Sequence, residues 1–254
     1  MLSSVVIPAF SKTEILLECL ERFTVQTCQD FEIIVVSDGC PEVNAFLRDY
    51  SMGAQKRPYQ LRRFDTGYDG FGVALACNKG IYEANGEQII IIGPDCLVTP
   101  TFIEQHQKYF ELGLLVLGSL PCVELDELGC IDYVCMQEQR DVFHIYSNLE
   151  QLEFGLEYAW LTFSGNMSFA KEDALTIGGF DVETFLGVGG SDTDFGRRFA
   201  LQFSRLKFIH NPAYHVGIMS NVTSRVRSTS NWNRTKLGEL SNRVDIKVRF
   251  IREL

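Results

Sequence analysis

The chain has 254 residues, enough for one large α/β domain or one domain with a small annex. A formal net charge of -10 excludes nucleic-acid binding over the whole surface. No apolar run approaches the ~20 residues of a membrane-spanning helix, and no low-complexity tract or internal repeat is present.

In chain order, residues 3–9, opening Ser3-Ser4-Val5-Val6-Ile7-Pro8, read as a short buried strand. No positively charged segment stands before it, so no signal peptide is expected and a cytoplasmic location is. The eight cysteines (19, 28, 40, 77, 96, 122, 130 and 135) form no CxxC, which fits free thiols in a reducing compartment. Over residues 13–26, Ile15, Leu16, Cys19, Leu20 and Phe23 recur at helical spacing. Residues 31–36 read as a second strand, ending at Ser37-Asp38-Gly39. A helix over 42–50, a strand over 59–64 and a helix over 73–84 follow. The run Ile89-Ile90-Ile91-Ile92 in 87–92 is the strongest strand signal, and it stops at Gly93-Pro94-Asp95. Alternating strands and helices imply right-handed βαβ units and a mostly parallel central sheet flanked by helices. In such sheets ligands bind beyond the carboxyl ends of the strands, where Asp38 and Asp95 both stand.

The second half is less regular. Strands are expected over 114–117, 161–170 and 205–209, and helices over 171–177 and 194–203; residues 121–150 show no period. The loop Gly187-Val188-Gly189-Gly190-Ser191-Asp192-Thr193-Asp194 delivers two carboxylates to a helix start, and His215 follows. Its glycines suit an ordinary turn or a hinge, and Trp160 suits either the core or a sugar face. From residue 221 onward Leu237, Leu240, Val244, Val248 and Ile251 recur at helical steps. That segment has a surplus of five positive charges, leaving the remainder near -15. It reads as a basic amphipathic C-terminal helical tail with two open roles. It could pack on its own domain or a sister subunit in a homodimer, or touch an anionic membrane peripherally.

Six segments in this order resemble the family 2 glycosyltransferases of GT-A fold. They are Val5-Val6-Ile7-Pro8-Ala9-Phe10; Ile33-Ile34-Val35-Val36-Ser37-Asp38-Gly39; Ala76-Cys77-Asn78-Lys79-Gly80-Ile81 with Ala84-Asn85-Gly86-Glu87; Gly165-Asn166-Met167-Ser168-Phe169; Gly178-Gly179-Phe180-Asp181; and the loop 189–194. The last three are similar to the C-terminal half of chondroitin-synthase-like and galactosyltransferase-like relatives. The resemblance covers residues 3–217. It implies a GT-A domain over 1–220, with a nucleotide-binding half at about 1–118, an acceptor and catalytic half at about 119–220, and the tail 221–254 as an extension. It further implies that Asp38 accepts a hydrogen bond from the nucleotide base, commonly uracil. Asp95 matches the last Asp of the DxD motif and, with His215, would ligate Mn²⁺ or Mg²⁺. Asp192 matches the catalytic base of inverting members. Pro8, Ala9, Phe10, Asn78, Lys79, Pro94 and Gly190 complete the implied nucleotide-sugar site.

The sequence departs from the family pattern at three places. Gly93 replaces the first DxD Asp, Ser191 replaces the Glu of a Glu-Asp pair, and Cys77 stands where many relatives have Arg.

The residue chemistry agrees with a transferase. A diphosphate leaving group gains negative charge that a divalent cation can neutralise, and a carboxylate within reach of an acceptor hydroxyl can take its proton. Either Asp192 or Asp194 could instead cap a helix; Asp194 is assigned to structure and Asp192 to catalysis. The expected activity is metal-dependent, inverting transfer from a UDP-sugar to a glycan or a lipid-linked acceptor. A catalytically degenerate scaffold of the same fold is the alternative. A nucleotidyltransferase would usually carry a glycine-rich basic loop after its first strand, and residues 8–13 have one Lys and no Gly.

Overall fold

Buried, β-branched runs build the centre of the molecule. In a computed structural model they form β1 (Ser3–Ala9), β2 (Phe31–Ser37) and β4 (Gln88–Ile92), each buried at every position. The structure describes residues 1–53, 57–69, 72–120, 122–125, 131–135, 152–153, 162, 165–185, 190–210 and 213–216. The expected tail over 221–254, Trp160 and Gly187 to Gly189 lie outside them.

β1 is followed by α1 (Thr13–Arg22) and a 3₁₀ turn (Phe23–Val25), and β2 by α2 (Pro41–Met52). Then come β3 (Gln60–Asp65), α3 (Val73–Glu83), β4, β5 (Cys96–Val98), α4 (Phe102–Lys108) and β6 (Leu115–Gly118). β7 (Cys122–Leu125), β8 (Ile131–Cys135), β9 (Leu152–Glu153) and β10 (Asn166–Ala170) follow. The last elements are α5 (Lys171–Thr176), α6 (Ser191–Phe203), β11 (Arg205–Ile209) and β12 (Ala213–Val216).

Eight strands form the main sheet in the order β3-β2-β1-β4-β10-β6-β11-β9. Its first four strands are parallel neighbours, and β6 and β11 also pair in parallel. β10 runs antiparallel to both β4 and β6. The sheet is therefore mostly parallel, as expected, with its main reversal in the second half. A smaller sheet has the order β5-β12-β7-β8. β7 and β8 fall in the region where the sequence showed no period, and β12 is a strand where none was expected.

Strand alternation divides the core in two. Val6, Ile34, Val36, Ile89 and Ile91 meet α3 and α6 on one face. Val5, Ile7, Ile33, Val35, Ile90 and Ile92 meet α1, α2 and α4 on the other. Each fully buried Ile or Val contributes about 1.5–3 kcal/mol. Helix α3 lies close to β1 at Gly80, where an added Cβ would stand 2.2 Å from a Val6 methyl carbon. Gly80→Ala is expected to lower stability by about 1–2 kcal/mol, because overpacking outweighs the helix propensity gained. Urea unfolding would read this as a lower midpoint at unchanged slope. An unchanged midpoint would mean that α3 can lift off β1.

Two polar systems fix the frame. At the amino ends of the strands, the buried Glu32 carboxylate accepts hydrogen bonds from the Ser4 hydroxyl (2.7 Å) and from the backbone and side-chain nitrogens of Asn85 (2.7 and 2.9 Å). Burial opposes its charge, but these bonds and Arg62 hold its pKa below the ordinary value. That explains Ala84-Asn85-Gly86 as structure rather than site. Across the sheet, His106 is fully buried between Ser168 (2.8 Å) and Asn166 (2.9 Å), and burial lowers its pKa to about 4. Asn166 continues the line to the Ser119 carbonyl (2.8 Å), which also accepts from the backbone of Ala213 at the start of β12. Among the described residues no helix is long and apolar enough to cross a membrane.

Candidate active site

The carboxyl ends of β2, β1 and β4 lie side by side, because β1 pairs with both neighbours in parallel. Each end leads into a loop bearing a polar group: Asp38 after β2, Lys12 after β1 and Asp95 after β4.

Asp38 is 2% exposed. Its carboxylate accepts hydrogen bonds from the Gly72 backbone and, at 3.4 Å, from the Thr66 hydroxyl. Burial, reinforced by Asp65, raises its pKa to about 6 against these two donors. The adjoining glycine is obligatory. Gly39 has φ +66°, and a Cβ there would stand 1.7 Å from the Tyr68 carbonyl oxygen. Thr66 and Gly72 thus both contact Asp38, and the Thr66 N–H is pinned to the Ser37 carbonyl (2.9 Å).

Asp95 lies where the two sheets meet. Its Oδ2 is 3.2 Å from Lys12 Nζ and 3.4 Å from His215 Nε2. Its own carbonyl accepts from the Val216 backbone (2.8 Å), and His215 pairs in register with Cys96. Burial opposes ionisation of Asp95, but His215 and Lys12 outweigh it and hold the carboxyl below its ordinary range. Nε2 and Oδ2 are close enough for both to contact one ion, a nitrogen–oxygen donor pair of the kind Mn²⁺ accepts. Among the described residues no third His, Cys, Asp or Glu completes a protein-only metal site. Gly93, at the place of the missing Asp, is tight: a Cβ would come 3.0 Å from Asp95 Oδ1 and from Cys96 Sγ.

Asp192 and Asp194 occupy the first turn of α6, which begins at Ser191, three residues earlier than expected. Neither aspartate caps it. The N-cap is Gly190, at φ +90°, with no side-chain cap bond. Asp194 is fully buried, with one oxygen 3.1 Å from Arg197 Nη2 and the other 2.7 Å from Arg198 Nε. Asp192 is half-buried in the same turn. It lies on the α3 side of the site: after burial, the charges of Asp192 and Asp38 are what push the buried Cys77 thiol well above its ordinary pKa. Cys77 therefore stands within the influence of both the Asp38 and the Asp192 ends.

The remaining expected residues divide. Pro8 and Ala9 are buried in β1, and Phe10 is 38% exposed at its end. Pro94 lies in the loop carrying Asp95, and Gly190 is the N-cap of the helix carrying Asp192. Asn78 and Lys79 have other partners. The Asn78 amide exchanges two hydrogen bonds with the Phe180 backbone (2.7 and 2.8 Å), locking α3 to the Gly178-Gly179-Phe180 turn. Lys79 pairs with Glu83 (3.2 Å), which also meets Arg62 toward the amino ends of the strands. Both side chains thus have partners within the fold. Lys12, Thr66 and Gly72 went unread. A lone Lys after the first strand is visible in sequence, but its approach to Asp95 is not.

Residues 4–148 match the sequence model of the family described as "Glycosyl transferase family 2". Residues 143–220 match that described as "N-terminal domain of galactosyltransferase". Among curated proteins, the glycosyltransferase GlyG of Streptococcus pneumoniae serotype 4 is 37% identical over 103 residues, which is 41% of this chain and 33% of that protein. The chondroitin synthase of Escherichia coli is 24% identical over 242 residues, 84% of this chain and 34% of that protein. The chain thus spans about a third of the length of these relatives. Among solved structures, the mannosyltransferase PcManGT from Pyrobaculum calidifontis, in complex with GDP-Man and Mn²⁺, superposes with a TM-score of 0.64 at 16% identity, covering 94% of this chain and 64% of that one. GalNAc-T7 with UDP, GalNAc and Mn²⁺ gives 0.63 at 12% identity, covering 86% and 43%.

Proposed function

The chain belongs to glycosyl transferase family 2, whose match spans more than half of it, and on that premise we propose that it transfers a sugar from a UDP-sugar to a hydroxyl of a glycan or lipid-linked acceptor, with inversion. The observation that carries the reading is the placement of Asp38 and Asp95 on either side of the β1 end, with His215 brought onto Asp95 by β12. Asp38 accepts the uracil N3–H. Asp95 and His215 would hold a divalent cation, Mn²⁺ or Mg²⁺. When bound, that ion neutralises the charge that grows on the leaving diphosphate. Asp192 takes the proton of the acceptor hydroxyl as it attacks the sugar from the side opposite the diphosphate. One base is enough, and no covalent nucleophile is needed. Residues of about 1–118 serve the nucleotide and those of about 119–220 the acceptor. A cytoplasmic setting and a peripheral contact through 221–254 are part of the proposal.

The tight Gly93 favours the rival reading, a degenerate scaffold. Calorimetric titration of UDP with and without Mn²⁺, over pH 4.5 to 8, separates the two. Binding is expected to tighten with the metal and to weaken below pH ~6, about tenfold per unit at the acid end. The sign follows from Asp38. Its ionised form is the stronger acceptor for the base N–H, and its raised pKa of about 6 places the loss there. No binding under any condition would leave the scaffold.

A further inference from the structure

Asp95 already has a cation. Lys12 Nζ lies 3.2 Å from the same Oδ2 that faces His215. The Lys12 side chain is 53% exposed, so its ammonium approaches from the solvent side rather than from the core. The backbone behind it is unusual. Ser11 and Lys12 are consecutive non-glycine residues in the left-handed region, at φ 59° and 55°. Such strain persists where the surroundings over-determine it and concentrates at ligand clamps. Here the turn reverses the chain from the end of β1 into α1, whose first acceptor is the Lys12 carbonyl (Leu16 N–H, 3.1 Å).

A divalent ion held by Asp95 Oδ2 and His215 Nε2 and the Lys12 ammonium cannot share that oxygen without strong like-charge repulsion. One must leave. Lys12 has a flexible stem and an exposed head, so it can move by rotamer change alone. The nearest new anion is the diphosphate, which arrives between the ends of β2 and β4, directly past the loop after β1. We infer that Lys12 is a diphosphate-binding residue that guards Asp95 until donor and metal arrive together. This rests on the donor-site reading above.

Two consequences are opposite in sign. With Lys12 removed, the metal alone meets an unguarded carboxylate and binds tighter. The nucleotide alone loses a cation and binds more weakly. The wild type therefore couples the two ligands, each improving the affinity of the other by the same factor. The test is calorimetry of Mn²⁺ alone, UDP alone and UDP with saturating Mn²⁺, on wild type, Lys12→Met and Lys12→Arg. Lys12→Met is expected to bind Mn²⁺ alone about threefold to fivefold tighter and UDP alone about tenfold more weakly. Lys12→Arg is expected to stay near wild type in both. A Lys12→Met protein within twofold of wild type in both titrations, while wild type binds UDP with Mn²⁺, overturns the inference alone. A wild type that binds UDP in neither condition overturns the donor-site reading and this inference with it.

Discussion

Asp192→Asn reduces sugar transfer by ~10²–10⁴-fold while UDP and Mn²⁺ bind within about twofold of wild type. The substitution keeps the shape of the side chain and its place in the first turn of α6 but removes its ability to take a proton. The helix terminus favours a negative charge there. Asp194 cannot stand in for it, since both of its oxygens are held by Arg197 and Arg198 in the interior. Loss of turnover with retained donor binding assigns Asp192 to the acceptor proton. Full activity in Asp192→Asn would remove it from the mechanism, and a parallel loss of UDP affinity would move it to the donor side.

Asp95→Asn has the second large effect. Removing its charge leaves His215 and Lys12 facing a neutral amide, a poor ligand for a hard divalent cation. The stimulation of UDP binding by Mn²⁺ should vanish, and transfer should fall on the order of 10³-fold, the size of the charge neutralisation a metal supplies at a leaving diphosphate. The readout is the ratio of UDP affinities with and without Mn²⁺, alongside a transfer assay with a panel of UDP-sugars. A ratio equal to that of wild type would show that the cation sits elsewhere.

The parallel half of the fold was legible because its signals are local. Apolar runs of strand length, such as residues 89–92, can only be buried on both faces, and the helices between them repeat at 3.6 residues. Asp38 and Asp95 could be read at strand ends for the same reason. The second half resisted because its order depends on partners far away in sequence. β12 is four residues of mixed polarity that become a strand only beside β5 and β7. The start of α6 moved to Ser191 because a glycine with positive φ, not an aspartate side chain, ends the preceding loop. Asn78 and Lys79 were legible as a motif, but their partners in the fold, Phe180 and Glu83, were not. Lys12 was hidden for a different reason, since left-handed backbone at two non-glycine residues has no reliable signature in composition.

The pairing of β12 with β5 also sets an order of events during synthesis. Asp95 is made early, together with the whole parallel half that carries Asp38. His215 reaches it only after more than a hundred further residues have been added, and through a strand anchored by Ser119 and, behind that, by the buried Asn166. A chain that ends before residue 213 has the strand ends that carry Asp38 and Asp95 but lacks β12. Contacts this distant close late, after the local ones have formed. The pairing of His215 with Asp95 is therefore among the last contacts of the described fold to become possible.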